Sequence, residues 1–375
     1  MIDNTNLKSS EKDIKVIGLG GAGCNTVDRL FSLDLNDVEL IAANTDKQSL
    51  LSTRAHKKII LGPDLTGGLG SGGNPLIGQK AAEESFRELI SAIKGSRLVF
   101  LTAGMGGGTG SGAIQIAARI AKSLDVLTIS VVSLPFSFES GKRSRHALEY
   151  AFRLQPFTDT LITIPNDRLL NDDISSQPIS RAFASSDDYL AKGIQGLSGL
   201  VNSESTMGID FSHIIRLMTT KGGTYISIGF GEGSSRVIQA LDQAFNHPLV
   251  GDISIRESAG IVIKFRGNIT LTELNQGVAH IRSRISPETE LIPVVSEEKL
   301  SNNRVEAFVL AAGIGAVPIH AEYIPETTVN YEDDKLPVIQ SDPVGQFDYV
   351  QAESDLDNLE VPAFIRKGYN LAGSI

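Results

Sequence analysis

The sequence predicts an α/β protein: a doubly wound parallel sheet, a long helix, and then a second α/β unit. Three observations predict it. Apolar strand-like runs alternate with helix-like runs through the first half, which argues for parallel strands with helices on both faces. Two glycine-rich loops each follow a strand and open a helix. Residues Ile179–Asn202 form one unbroken helical pattern, after which strand and helix signals resume.

The first strand is Ile14–Leu19, IKVIGL, followed by Gly20, Gly21, Ala22, Gly23, Cys24 and Asn25 and a helix over Asn25–Phe31. Gly18, Gly20 and Gly23 have the G-x-G-x-x-G spacing of dinucleotide loops. Val38–Ala43 is the second strand and ends in Asn44, Thr45 and Asp46, an acid about 20 residues on, as a ribose-binding carboxylate would be. After a helix over Pro75–Ile93 and a strand over Leu98–Thr102 comes the densest run, Gly104-Met105-Gly106-Gly107-Gly108-Thr109-Gly110-Ser111-Gly112, before a helix over Ala113–Ser123. A strand-to-helix connection usually needs only about 2–6 residues. So many glycines mean that backbone approaches something closely, and helix N-termini favour an anion. Phosphate is the expected anion. The first loop alone is compatible with a dinucleotide-dependent oxidoreductase. The second favours a mononucleotide binder, because the dinucleotide pattern does not require it. Strands over Leu127–Ser133 and Thr160–Ile164 and a helix over Lys142–Arg153 complete the unit.

In the second half, Tyr225–Gly229, Ile261–Phe265, Leu291–Val295 and Val305–Ala312 read as strands, with helices over Ser234–Phe245 and Leu271–Arg284. Thr270 and Glu273 have capping-box spacing at the latter's start. Periodicity stops near Glu326, and Glu326–Asp357 reads as a disordered linker. The apolar cluster in Leu359–Ile365 then reads as a peptide ligand for another protein.

Composition narrows the function. Lys plus Arg number 34 against 44 Asp plus Glu, a net charge of −10, which argues against nucleic acid as a partner and against anionic lipid. Met1–Asp13 is polar, unlike a signal peptide, and no run approaches the roughly 20 apolar residues of a membrane span. With Cys24 the single cysteine, no internal disulfide forms, in keeping with a cytoplasmic setting. Cys24 reads as a small packing residue, with a redox switch as the alternative.

At this point the residues resemble a known family. Gly106–Gly112, GGGTGSG, matches the tubulin signature. Its neighbours are similar to FtsZ, the bacterial tubulin-like cell-division GTPases: Ile14–Gly21, Asn44–Asp46, Gly68–Pro75, Lys80–Ser85, Pro135–Glu139, Ile164–Leu169 and Gly193–Gly196 occur in order. The resemblance runs from about Lys12 to Gly315 and resumes at Leu359–Lys367. It implies a tubulin/FtsZ-like fold with a disordered tail over 1–12, a Rossmann-like GTP-binding domain over 13–178 and a central helix over 179–203. A C-terminal activation domain over 204–317, a linker over 318–357 and a partner-binding peptide over 358–368 follow.

The resemblance also implies a nucleotide site. Gly21–Asn25 and Gly108–Gly110 would wrap the α and β phosphates, with Thr109 adding a hydroxyl, and Gly20, Gly104, Gly106 and Gly107 would belong to the same GTP site. Gly68–Gly73, including Gly70, Ser71 and Gly72, would close over the γ-phosphate. Thr45 and Asp46 would help hold Mg2+ or its waters, unless Asp46 simply caps a helix. Glu139 and Arg143 would contact ribose and phosphate, and Asn166, Phe183 and Asp187 the base. Phe183 and Asp187 are four apart and share a helix face. A ring there could stack on a purine or pack in the core. A carboxylate accepts from guanine N1–H and N2–H2 but not from adenine N1, a physical reason for GTP over ATP.

One segment departs from the family. The loop that reaches the next subunit's nucleotide typically reads Asn-x-Asp-Phe-x-Asp; here it is Gly208-Ile209-Asp210-Phe211-Ser212-His213. Asp210 is kept, and His213 replaces the second acid. The expectation is a GTP-binding, Mg2+-assisted filament protein of the division ring, cytoplasmic beneath the membrane, polymerising head to tail and hydrolysing slowly through Asp210 and His213. Leu359, Pro362, Phe364 and Ile365 would bind membrane adaptors and division regulators. The alternative is a non-hydrolysing relative that copolymerises with or regulates a conventional FtsZ.

Overall fold

The computed structural model describes residues 12–33, 35, 38–169, 178–201, 211–220, 222–246, 258–297, 300, 303–314, 339–341 and 347–349. Six parallel strands form the first sheet: β1 (Ile14–Leu19), β2 (Val38–Asn44), β3 (Lys57–Ile60), β4 (Leu98–Gly104), β5 (Leu127–Leu134) and β6 (Thr160–Pro165). Their spatial order is β3-β2-β1-β4-β5-β6. The chain reverses direction across the sheet between β1 and β4, and ligands of such sheets bind at that point, beyond the carboxyl ends of the strands.

Helices cover both faces. They are α1 (Gly20–Phe31), α2 (Lys47–Ser52), α3 (Pro63–Thr66), α4 (Pro75–Glu84), α5 (Phe86–Ile93), α6 (Gly108–Ser123) and α7 (Gly141–Leu154). Side chains alternate along each strand, so neighbours serve different cores. Val16, Leu40, Phe100 and Val131 face α1 and the long helix α8 (Ile179–Val201). Ile17, Ile41, Val99 and Leu101 face the opposite layer, which includes Ala81, Phe86, Ile114 and Ala117.

α8 joins the two units. Leu190, Ile194 and Leu197 share a core with the first sheet and with Ile226, Val262 and Phe308 of the second. Gly193 and Gly196 permit the approach: a Cβ at Gly196 would lie 2.2 Å from the Phe308 ring. The second sheet has the order β7 (Gly223–Gly231), β10 (Val305–Ile314), β8 (Gly260–Arg266), β9 (Glu290–Ser296). β10 runs antiparallel to β7 and β8, and β8 runs parallel to β9. α9 (Phe211–Met218), α10 (Arg236–Phe245) and α11 (Leu271–Arg282) complete the unit. The Thr270–Glu273 capping box forms reciprocally at the start of α11.

Three differences from the sequence reading have physical causes. α1 begins at Gly20 rather than Asn25, and α6 at Gly108 rather than Ala113, so the glycine loops are partly first helical turns. The Pro75–Ile93 helix is broken at Ser85, whose hydroxyl donates to the Ile60 carbonyl and accepts from the Gly62 amide. The short elements α2, β3, α3 and α9 give too few residues for a periodic signal. Within the stretch expected as a linker, β11 (Ile339–Ser341) pairs antiparallel with β12 (Phe347–Tyr349).

Close glycine contacts also set the position of α6. A Cβ at Gly112 would lie 2.0 Å from the Pro75 carbonyl oxygen, and one at Gly78 would lie 2.3 Å from that of Gly108. Gly112→Ala should therefore cost about 1–3 kcal/mol by overpacking, read as a lower urea midpoint. Gly141→Ala, at a position with open space around it, should leave the midpoint within about 0.5 kcal/mol of the parent.

Candidate functional site

At the carboxyl ends of β1, β2, β4, β5 and β6 lies a cavity of about 420 Å³. The N-termini of α1 and α6 both open into it, through Gly21 and Ala22 and through Gly107, Gly108, Thr109 and Gly110. Each terminus offers unpaired backbone N–H groups and the positive end of a helix dipole. The two are packed backbone to backbone. Gly20 has φ +72°, and a Cβ there would lie 2.7 Å from the Gly110 nitrogen.

A third loop closes one side. Gly70, Ser71, Gly72 and Gly73 line the cavity, and the three glycines have positive φ. The loop is tied to the end of β2, where Gly70 N donates to Thr45 O at 3.2 Å and Lys47 N to Gly68 O at 3.0 Å. Three hydroxyls join the loops: Thr109 Oγ1 lies 2.6 Å from Thr45 Oγ1 and 3.0 Å from Ser71 Oγ. Asp46 lines the cavity and its Oδ1 accepts from Ser49 N at 2.9 Å, capping α2. The capping role raised by the sequence is thus present alongside its position in the wall.

On the far side, Glu139 and Arg143 form an ion pair of 2.7 Å, and Glu139 Oε1 accepts from Phe136 N at 2.9 Å. The pair offsets the unfavourable placement of a cation in the first turn of α7. Phe183 packs edge-on against Phe136, 5.2 Å between centroids, yet remains partly exposed to the cavity. Asn166 Oδ1 accepts from Ser186 Oγ at 2.6 Å, which fixes its amide at the wall.

Asp187 is 9% exposed. Burial pushes its carboxyl up to about 7, although a side-chain contact with Asn25 and the nearby Arg29 guanidinium pull it down. Arg29 is itself paired with Asp188 at 3.1 Å.

Several residues from the sequence reading lie off this wall. Gly23 fits against Gly18 and the Thr102 carbonyl, as a Cβ 2.4 Å from that oxygen would not allow. Gly20 serves the α1–α6 contact. Gly106, at φ +87°, packs under the Arg143 carbonyl. Cys24 is fully buried beside Val16 and Leu40, and burial pushes its thiol up to about 12, which makes it inert. Asn25 lies in a second cavity of about 550 Å³ that adjoins the first and shares Ser49, Phe183 and Asp187 with it. His213 is exposed on α9 and does not line the cavity. Gly208, Asp210 and the peptide residues Leu359, Pro362, Phe364 and Ile365 lie outside the described residues.

Sequence reasoning missed Asn44, Ser49, Met105, Ser133, Pro135 and Ser186 as wall residues. Only Ser49 had a local signal, the three-residue spacing from Asp46 that an N-cap uses.

Two helix N-termini and three glycine loops around one basin, at the reversal point of a parallel sheet, define a nucleotide-phosphate-binding α/β protein. Comparison with known proteins specifies the kind. Residues 13–173 match the Tubulin/FtsZ family GTPase domain, and residues 222–315 match the FtsZ family C-terminal domain. The chain belongs to the Tubulin/FtsZ family.

Among its relatives is Cell division protein FtsZ 1 of Thermococcus kodakarensis, 37% identical over 334 residues, or 88% of each chain. The Pyrococcus furiosus protein of the same name is 38% identical over 303 residues, covering 80% of this chain and 81% of its own. A solved FtsZ dimer from M. jannaschii superposes with a TM-score of 0.76 at 37% identity, over 82% of this chain and 90% of that one. CetZ2 from Haloferax volcanii shares the fold, with a TM-score of 0.68 at 21% identity over 80% and 93% of the two chains.

The Asp187 environment predicts a stability effect. A carboxyl whose folded pKa exceeds its unfolded value holds its proton more tightly when folded. Burial therefore costs stability once pH rises past 3.8, and the cost is complete above about 7. Asp187→Asn should raise the unfolding free energy of the nucleotide-free chain at pH 8 by about 2–4 kcal/mol. The gain should shrink as pH falls and vanish near pH 4, as urea titrations at several pH values would show.

Proposed function

We propose that this chain binds GTP in the glycine-lined cavity, polymerises head to tail, and hydrolyses GTP slowly at the contact between successive copies. The observation that carries the reading is the convergence of α1 and α6 on one basin, with Asp187 and Phe183 on its rim. Backbone N–H groups there suit a chain of phosphates, and the Asp187 carboxylate suits the two donors of a guanine edge. Family membership supports GTP as the nucleotide. Relatives named for cell division, and an FtsZ solved as a dimer, support assembly in a division ring at the cytoplasmic side of the membrane.

Mg2+ fits the residues present. It needs only one or two protein carboxylates when phosphates and waters fill its remaining positions. Asp46 supplies a carboxylate at the wall, beside the Thr45, Ser71 and Thr109 hydroxyls. When bound, Mg2+ would neutralise charge on the phosphates. The chain's own part is to seat those phosphates with fixed N–H groups and to exclude bulk water with the Gly70–Gly73 loop.

Slow hydrolysis is inferred from the altered loop. Two carboxylates orient and polarise an attacking water, whereas Asp210 with His213 presents one carboxylate and an imidazole. The same departure supports a second reading, a partner that copolymerises with a conventional FtsZ or regulates it. The peptide Leu359–Lys367 would tether filaments to adaptors in either case.

GTP turnover and polymer sedimentation, measured in one tube, test the proposal. Polymer with little phosphate release is expected; brisk release would contradict the impaired loop. Gly208→Asn combined with His213→Asp should raise turnover about tenfold or more, and no gain would remove the loop as the cause. In mixtures with a conventional FtsZ, stoichiometric incorporation would mark copolymerisation, and inhibition at a small fraction of its concentration would mark regulation.

A further inference from the structure

α8 crosses the second sheet along three glycines, and each receives a side chain from one of three adjacent strands. A Cβ at Gly193 would lie 2.5 Å from Ile226 Cδ1 on β7, and one at Gly196 would lie 2.2 Å from the Phe308 ring on β10. At Gly199 the neighbour is Lys264 Nζ on β8, 2.6 Å from such a Cβ. Ile226 and Phe308 are apolar, as a buried contact favours. Lys264 brings a charge, although it is only 7% exposed and lies between Phe308 on β10 and Val294 on β9. Its Nζ donates to the Gly199 carbonyl at 2.9 Å. A buried ammonium is costly where a third aliphatic side chain would fill the space, so packing alone does not account for it.

Gly199 belongs to the last turn of α8, which ends at Val201. The final carbonyls of a helix have no partner within it, and a cation at that end suits the dipole. Lys264 thus caps α8 from the second unit, just before the segment 202–210 that carries Gly208 and Asp210. The helix that follows this segment rests on the same strand. Leu217 of α9 lies over Gly260 of β8, where a Cβ would be 2.3 Å from Leu217 Cδ1. α9 is also held by Arg216, paired with Glu290 at 2.9 Å, and by the Met218 carbonyl, which accepts from Thr160 Oγ1 at 2.6 Å. Gly260 and Lys264 are four residues apart on one face of β8, about 13 Å along the strand. β8 therefore sets both anchor points of the segment.

Resting on the reading that this segment acts on the nucleotide of the next copy, we infer that Lys264 is a positioning residue for GTP hydrolysis. Its ammonium holds the last turn of α8, and through it the approach of Asp210 to the neighbouring phosphates. Lys264 does not line the nucleotide cavity of its own chain, so it acts on rate and not on nucleotide affinity. Gly199 is the other half of the device, because a Cβ there would take the place of the ammonium.

The test is single-turnover phosphate release from polymer of the full chain, read beside the GTP affinity of the nucleotide-free chain. Lys264→Met keeps an unbranched side chain and removes the charge. Release should slow about tenfold or more, as a small misplacement of a reacting group does, with affinity within about twofold of the parent. Gly199→Ala displaces the ammonium while favouring the helix. Release should slow here too, yet the urea midpoint should hold or rise, which a mere loss of stability would not produce. Gly199→Ala also carries the comparison if Lys264→Met fails to fold.

A donor chain then identifies the route. Gly107→Glu, at a cavity glycine with φ −83° and only ordinary contact around it, sets a carboxylate in the phosphate seat and leaves Gly199 and Lys264 intact. Mixed with Lys264→Met chains, it should restore release from their GTP, as it should for Asp210→Ala. Restoration of Asp210→Ala alone would overturn the role of Lys264 and leave the shared site standing. Restoration of neither would overturn the shared site, and the inference with it. Parent-like release by Lys264→Met polymer would overturn the inference outright.

Discussion

The structure depends on a backbone-to-backbone contact between the first turns of α1 and α6. Gly20 and Gly110 meet with no room for a Cβ, so two helix N-termini of like dipole are held side by side. Their mutual repulsion is unfavourable without an anion between them. Every other feature of the site follows from keeping them there. Gly23 lets α1 sit flat on β1 and β4, and Gly112 and Gly78 let α4 support α6 from the outside. Phosphate affinity in such a site comes from geometry rather than from side chains, which is why so few charged groups line the basin.

The second constraint is α8. One face completes the core under the first sheet, and its glycines accept Ile226 and Phe308 from the second. The same helix carries Phe183, Ser186 and Asp187 to the rim of the cavity. Buried interactions continue along it: Tyr189 OH donates to the Ile226 carbonyl at 3.0 Å, and Lys264 Nζ to that of Gly199 at 2.9 Å. The rim residues at one end of α8 are therefore mechanically continuous with the second unit. Asp187 carries an energetic cost there, because burial disfavours its charged form.

Much of the fold was legible in the sequence because the long elements obey simple periods. IKVIGL is buried along its whole length, as a central parallel strand must be, with Lys15 its one charged residue, and α8 is too long and regular to misread. Short elements were not legible: β3 contributes only Lys-Lys-Ile-Ile, and α9 is eight residues long. Glycine loops announced the phosphate basin but not the division of labour among their residues. Gly21 faces the cavity while Gly20, Gly23 and Cys24 face protein, a difference set by helical rotation once α1 begins at Gly20. Ser133 and Ser186 reach the wall only through tertiary packing, so no local pattern marks them. Asn25 illustrates the same limit. Its place in the loop suggested phosphate, but one further turn of α1 puts it against Asp187.

The central claim is that the two helix termini form one phosphate seat with Asp187 at the base end. A crystal structure of the chain with a slowly hydrolysed GTP analogue tests it most directly. The account predicts phosphate oxygens within hydrogen-bond distance of the Gly21 and Gly108–Gly110 amides, and the guanine edge on the Asp187 carboxyl. Phosphates bound elsewhere, or a base turned away from Asp187 with the phosphates in place, would contradict it.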